Sequence, residues 1–112
     1  MRPLLVKEID TFLNRFGNFI DGELRELKII SPTVINLTIA GQDEARGFDW
    51  ITVAFEFAGV SDASLVDSQQ LSHVDMSGGA TIKYKDNKFT ISVNNATFKI
   101  VSENIKYQEG QF

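Results

Sequence analysis

A histidine and an aspartate two positions apart are the residues of this chain best suited to acid–base chemistry. His73 is the only histidine among the 112 residues, and imidazole is the side chain that most readily exchanges a proton near neutral pH. In a strand, Asp75 would share a face with His73 and could orient it. Because no nucleophile motif accompanies the pair, a surface role is favoured over catalysis. We expect at most a polar site at His73 and Asp75, and no catalytic residue.

Three carboxylates form a second group with chemical potential. Asp43, Glu44 and Asp49 lie close together in a glycine-bounded polar segment, and hard cations such as calcium bind oxygen ligands of this kind. The alternating ligand spacing of known calcium loops is missing, so a solvated hairpin loop is predicted instead. The chain has no cysteine, which excludes disulfides and thiolate metal sites. We expect no metal and no cofactor.

Net charge and hydropathy narrow the range of partners. A formal charge of −4 and a pI near 4.9 repel a phosphate backbone, so nucleic acid is not expected as a partner. The nearest approach to a basic patch is a set of strand lysines, interpreted as a solvated face: Lys83, Lys85, Lys88, Lys99 and Lys106. No apolar run approaches a membrane span, and the opening residues are too charged for a secretory signal. We therefore expect a cytoplasmic protein with no membrane partner.

An amphipathic helix and several strands would have to position these residues. Apolar residues at three- and four-residue intervals predict a helix over 4–16, with Pro3 in its first turn and Gly17 and Asn18 at its end. From Gly22 onward the apolar residues alternate, which is typical of strands. The segment from Ser61 to Gly79 is the least regular and predicts a loop with short pieces of strand or helix.

Short turns fix the expected pairing of the strands. The turn Ser31-Pro32-Thr33 places Ile29 opposite Ile35 and Leu27 opposite Leu37. The turn Asp86-Asn87 pairs Tyr84 with Phe89, Ile82 with Ile91 and Ala80 with Val93. A second two-residue turn at Asn94-Asn95 pairs Ile91 with Phe98 and Phe89 with Ile100. One apolar face runs through all of these pairs.

The expected architecture is α+β. One N-terminal helix packs on a curved antiparallel sheet of about six strands, connected as a meander of hairpins, because the connections are too short for parallel crossovers. The 112 residues form a single domain with one core.

The strand after the acidic segment carries the most distinctive candidate for binding. Ile51 faces the core, so Trp50 faces outward together with Ala54 and Glu56. Tryptophan supplies binding energy out of proportion to its number, which makes this face a candidate interaction surface. Alternatively, the C-terminal tail with Tyr107 and Phe112 covers Trp50.

The segment Phe19-Ile20-Asp21-Gly22-Glu23-Leu24, followed by the later strands and hairpins, resembles small bacterial α+β domains. Some relatives of that pattern are immunity proteins of polymorphic toxin systems. The resemblance rests chiefly on Asp21 and Glu23, and where the pattern often has a histidine before the aspartate this chain has Ile20. It implies a polar site at Asp21 and Glu23 and a toxin as partner.

These observations lead to one functional expectation and one alternative. The first is a non-enzymatic protein-binding module of a bacterial cytosol, immunity-like, with a homodimer as one form that binding could take. The alternative is a small-ligand carrier or small enzyme with a pocket near His73 and Asp75.

Overall fold

Seven antiparallel strands form one sheet in the computed structural model, which describes residues 1–112. In chain order the strands are β1 Arg2–Pro3, β2 Glu23–Ser31, β3 Val34–Asp43, β4 Asp49–Ser64, β5 Ala80–Lys85, β6 Lys88–Val93 and β7 Phe98–Gln111. The sheet order is β2-β3-β4-β7-β6-β5, and β1 pairs with β7 beyond the end of β6. The expected α+β class with an antiparallel sheet is confirmed, and the sheet has one strand more than predicted. The predicted meander is wrong at one point, because β7 and not β5 lies beside β4.

The single α-helix is shorter than its apolar pattern predicts. Helix α1 covers Ile9–Arg15, and a 3-10 helix at Val6–Glu8 precedes it. The residues before this 3-10 helix contact the sheet instead. Pro3 of β1 pairs with Lys106 of β7, and the Leu4 amide donates to the Ile105 carbonyl at 2.9 Å. Pro3 is therefore a strand residue and not part of a first helical turn. At the other end, Gly17 and Asn18 both have positive φ, which ends the helix as predicted.

The helix packs on one face of the sheet through aromatic side chains. The Phe12 ring centroid lies 4.7 Å from that of Tyr107 in β7 and 5.9 Å from that of Phe55 in β4. Phe16 and Phe19 stack on each other at 5.1 Å beside it. These rings belong to one cluster of 25 buried hydrophobic residues, to which the helix, the long strands and the segment after β4 all contribute. One shared core thus holds the chain together. None of the helices is long and apolar enough to span a membrane.

Most of the predicted pairs are observed, and one hairpin differs. Ile29 lies opposite Ile35, and all three predicted β5–β6 pairs are present. In the β6–β7 hairpin, however, Ile91 pairs with Ile100 and Phe89 with Ser102, two positions further on than predicted. The cause is a four-residue turn in which Asn94, Asn95 and Ala96 all have positive φ and the Thr97 amide donates to the Asn94 carbonyl. A shift of two keeps the same residues on the inner face.

The two central strands are much longer than the sequence pattern indicates. β4 continues into the segment from Ser61 onward that was expected to be a loop, and it pairs with β7 as far as Ser64 opposite Lys99. The remainder of the irregular segment contains a 3-10 helix at Ser68–His73 that lies against β2. Its Leu71 and the following Met76 are buried in the core, so this segment closes one side of the sheet.

Candidate interaction surface

Three side chains of β4 share the outward face of the sheet. Trp50, Ala54 and Glu56 alternate with the buried Ile51, Val53, Phe55 and Phe57. Small and polar residues flank Ala54 and Glu56 on the neighbouring strands: Thr38 and Gln108 in one row, Asn36 and Lys106 in the next. The predicted candidate surface is therefore a continuous outward face, with its one large aromatic at the end nearest the β3–β4 connection.

Trp50 forms part of an aromatic group on this face. Its ring centroid lies 5.4 Å from that of Phe112, and the Arg25 guanidinium carbon sits 4.1 Å from the Phe112 centroid. Arg25 is the extra residue of a bulge in β2 and is also bonded to Glu23 at 2.9 Å. Trp50 remains 38% exposed and Phe112 56% exposed. The tail thus contacts Trp50 through Phe112 without covering it, whereas Tyr107 faces the core.

A depression of about 420 Å³ adjoins these rings. It is lined by the first residues of β4 including Asp49 and Trp50, by Arg46 of the β3–β4 connection, and by residues 109–112 at the end of the chain. We call the four residues Arg25, Arg46, Trp50 and Phe112 the Trp50 patch. Arginine and aromatic side chains are the types enriched in protein interfaces.

A partly buried ion-pair network centred on Asp43 supports the patch from the core side. Asp43 is fully buried, and its two oxygens accept hydrogen bonds from Arg15 Nε at 2.8 Å and Arg15 Nη2 at 2.7 Å. The Ala45 amide donates to the same carboxylate at 2.9 Å. The solvated loop predicted for Asp43 is therefore wrong: β3 continues through Asp43, which faces inward, and a 3-10 helix at Glu44–Arg46 follows.

The network connects the helix end to the Trp50 patch. Arg15 also donates to Glu109 of β7, and Arg46 lies 3.3 Å from Glu109. The hydrogen bonds from Arg15 hold the pKa of Asp43 below its ordinary value against the opposing effect of burial. The same bonds raise the pKa of the Arg15 guanidinium. Three elements are thereby fixed beneath the surface that carries Trp50.

Neither the position of Arg25 nor the role of Asp43 follows from the sequence pattern used above. Arg25 reaches the outward face only because of the bulge in β2, for which the sequence has no clear signal. Asp43 could have been found by extending the alternation of Ile35, Leu37 and Ile39 through Gly41, which places it on the inner face. Its partner Arg15 lies 28 residues away, so only the folded chain identifies the pair.

The expected polar site at His73 and Asp75 does not assemble into a pair. His73 is exposed at the end of the 3-10 helix. Asp75 accepts a hydrogen bond from the Ser77 amide at 2.9 Å, and this turn lowers the pKa of Asp75. An open groove of about 280 Å³ beside Asp75 is lined by Ser77, Thr81 and the Asn94–Ala96 turn, and His73 is not part of it. The arrangement of Asp75 is that of a turn cap.

Asp21 and Glu23 are both exposed, and they lie on different structures. Asp21 sits in a turn with positive φ, and its amide donates to the Met76 carbonyl at 2.9 Å. Glu23 begins β2 and pairs with Arg25, so of this pair only Glu23 belongs to the surroundings of the Trp50 patch.

Comparisons with protein families, with curated proteins and with solved structures find no match to this chain.

Proposed function

We propose that this chain is a non-enzymatic protein-binding module whose binding surface is the outward face of β4 around the Trp50 patch. The observation that carries the proposal is the contact of two exposed aromatic rings, Trp50 and Phe112, with an arginine stacked on one of them. Tryptophan and arginine are the residue types that most often dominate binding energy at interfaces.

The two arginines of the patch have partners within the chain. Arg25 contacts the Phe112 ring and pairs with Glu23, and Arg46 forms ion pairs with the Asp43 and Glu109 carboxylates. Side chains that are already ordered lose less conformational entropy on binding, which favours affinity. A partner that covers the patch therefore gains contact with aromatic surface at a small loss of side-chain conformational entropy.

The resemblance at Asp21 and Glu23 makes an immunity-type role in a bacterial cytosol the specific form of this proposal. In that role the protein would neutralise a toxin by occupying its surface, and no reaction chemistry is required of the chain. A second copy of the chain is the other partner that the Trp50 patch could accept.

The proposal is tested by comparing how well a partner binds the wild-type protein and variants in which one exposed aromatic residue is replaced by alanine. Trp50→Ala and Phe112→Ala remove the patch, whereas Phe48→Ala removes a ring that is 61% exposed but does not line the depression. We expect a partner purified on the wild-type protein to bind Phe48→Ala normally and Trp50→Ala at least about tenfold more weakly, as for a central interface residue. Isothermal titration calorimetry gives the affinities.

Light scattering on the same variants identifies self-association. A dimer that persists in Trp50→Ala contradicts use of the patch for dimerisation. A partner that binds all of the variants equally contradicts the proposal as a whole.

A further inference from the structure

The last four residues of β7 have one side without a neighbouring strand. β6 pairs with β7 as far as Ser102, and β1 pairs with Lys106 and Tyr107 on the same side. Residues 108–111 are paired with β4 alone, and three of the four are exposed. Their backbone groups that point away from β4 therefore have no strand to bond to. We call residues 108–111 the β7 edge.

The two outer edges of the sheet are protected against pairing with another chain. The edge strand β2 carries bulges at Arg25 and Ile30, which interrupt its regular ladder. The edge strand β5 carries Lys83 and Lys85, and lysines on an edge strand discourage the addition of a further strand. Both of these edges are therefore poor acceptors of a strand.

The β7 edge has none of these protections. It contains no lysine and no proline, and its register with β4 runs through all four residues without a shift. Its one charged residue is Glu109, which accepts a hydrogen bond from Arg15 and lies 3.3 Å from Arg46. That carboxylate is thus already compensated within the chain. A regular strand with one free side is the arrangement that accepts an added strand.

Gly110 leaves a gap on the outward side of the β7 edge. It shares the outward face with Gln108 and Phe112. A Cβ at Gly110 would lie 2.9 Å from Thr52 Oγ1, which donates to the Gln111 carbonyl at 3.1 Å. A side chain that fills the gap would therefore come from a strand added beside β7.

An aromatic side chain fits this gap. A residue directly opposite Gly110 on an added strand would lie diagonal to Phe112, and aromatic side chains reach their diagonal neighbours. Aromatic residues that cover a glycine of the adjacent strand stabilise sheets at such positions. The added ring would extend the contact between Trp50 and Phe112 across the β7 edge.

The inward side of the β7 edge also has room for side chains. A groove of about 340 Å³ lies between α1 and β7, and its lining includes Thr11, Phe12, Arg15 and Tyr107. Tyr107 directly precedes the β7 edge, and Arg15 contacts Glu109 within it. Inward side chains of an added strand can thus lie beside α1.

We propose that the β7 edge accepts an extended segment of a partner protein, paired antiparallel, with an aromatic side chain opposite Gly110. Every strand pair of this sheet is antiparallel, and the segment would continue the line of β1. Backbone hydrogen bonds hold such a segment, and the aromatic side chain selects it. Self-pairing centred on Glu109 would place two like charges opposite each other. This mode of binding rests on the proposed function, because the partner is the protein that contacts the Trp50 patch through Phe112.

An extension of the chain tests whether the β7 edge accepts a strand. Arg2 lies opposite Tyr107, so the second residue before Met1 would lie opposite Gly110. The extension Thr-Val-Thr-Phe-Thr before Met1 places its phenylalanine there, whereas Thr-Val-Phe-Thr-Thr moves it by one position to the inward face. We expect the first extension to raise the thermal unfolding midpoint by about 4 °C or more over a Gly-Ser extension of equal length. The second should give less than about half of that rise, since its ring misses the gap.

A free peptide tests the same pairing between molecules. The probe is the peptide Thr-Val-Thr-Phe-Thr-Val-Thr with blocked ends, and the matched peptides carry alanine in place of phenylalanine or N-methyl groups on the three central residues. By NMR titration of the wild-type protein we expect the signals of residues 108–111 to shift, with at least about tenfold weaker binding of either matched peptide. The Thr-Val-Thr-Phe-Thr extension should block the probe, because it occupies the same edge. Trp50→Ala should change the affinity for the probe by less than about twofold.

Four results would overturn the proposal. Equal midpoints for the Thr-Val-Thr-Phe-Thr and Gly-Ser extensions show that the edge does not accept a strand. No binding of the probe at millimolar concentration, or equal binding of a matched peptide, removes the selective pairing. Shifts confined to β2 or β5 place the added strand elsewhere. A wild-type dimer that the first extension dissociates replaces the partner by a second copy.

Failure of this mode of binding is distinct from failure of the proposed function. Weaker partner binding in Trp50→Ala together with an edge that accepts no strand contradicts the edge alone. Pairing at the edge together with unchanged partner binding in Trp50→Ala contradicts the Trp50 patch alone.

Discussion

At the scale of single residues, Asp43 is the side chain whose charge matters most to the fold. It is fully buried and accepts three hydrogen bonds, two of them from one guanidinium. Removal of one partner from such a pair leaves the other poorly compensated, which is costly even where the intact pair contributes little. The sequence could predict that this segment is acidic. It could not predict that one of its carboxylates anchors the end of α1.

We expect Asp43→Asn to lower the free energy of unfolding at neutral pH by about 2–4 kcal/mol, since a bidentate bond to Arg15 is lost. The control Glu26→Gln removes an exposed ion pair with Lys28 and should cost less than about 0.5 kcal/mol. Urea unfolding followed by circular dichroism measures both. Equal effects of the two substitutions would contradict the role given to Asp43.

The Asp43 carboxylate should also make the free energy of unfolding depend on pH in the acid range. Because its pKa in the folded chain lies below the ordinary 3.8, its contribution is complete above that pH and is lost as pH falls through the folded value. Urea unfolding between pH 7 and pH 2 should therefore show a smaller acid-induced loss in Asp43→Asn than in the wild type. Parallel curves for the two proteins would exclude Asp43 as the source.

At the scale of elements, the turn before β5 is held by a close approach of two chain segments. Gly79 has a φ of +70°, and a Cβ at this position would lie 2.3 Å from the Asn18 carbonyl oxygen. The adjacent Gly78 has open space around it. We expect Gly79→Ala to lower the free energy of unfolding by at least about 2 kcal/mol, and Gly78→Ala to change it by no more than about 0.5 kcal/mol. Chemical unfolding of both variants checks this, and a neutral Gly79→Ala would show that the contact is dispensable.

The elements also show what the sequence could predict. A turn with two left-handed residues can be recognised in the sequence at Asp86-Asn87, because both residue types tolerate positive φ. The pairs between the strands on either side of that turn were predicted correctly. At Asn94-Asn95 the left-handed conformation extends to Ala96, a residue that seldom adopts it, so the pairing was misplaced by two. The helical spacing of apolar residues begins at Leu4, but the Leu4 amide is hydrogen-bonded to Ile105 of β7. A contact with a strand about 100 residues away cannot be read from the local sequence.

At the scale of the whole molecule, one core implies one folding unit. The longest strand pair, β4 with β7, joins residues as far apart in sequence as Ile51 and Gln111, and the buried cluster spans the helix and the irregular segment as well. We expect a single unfolding transition in which far-ultraviolet and near-ultraviolet circular dichroism change together. Separate midpoints would show that the helix or the segment after β4 unfolds independently.

The position of Trp50 has a practical consequence. The chain contains one tryptophan, and it lies in the partly exposed patch outside the buried cluster. Indole emission therefore reports on the occupancy of this surface far more than on the state of the interior. A ligand that covers the ring should shift the emission to shorter wavelength and protect it from iodide quenching, so the protein carries its own optical reporter of binding.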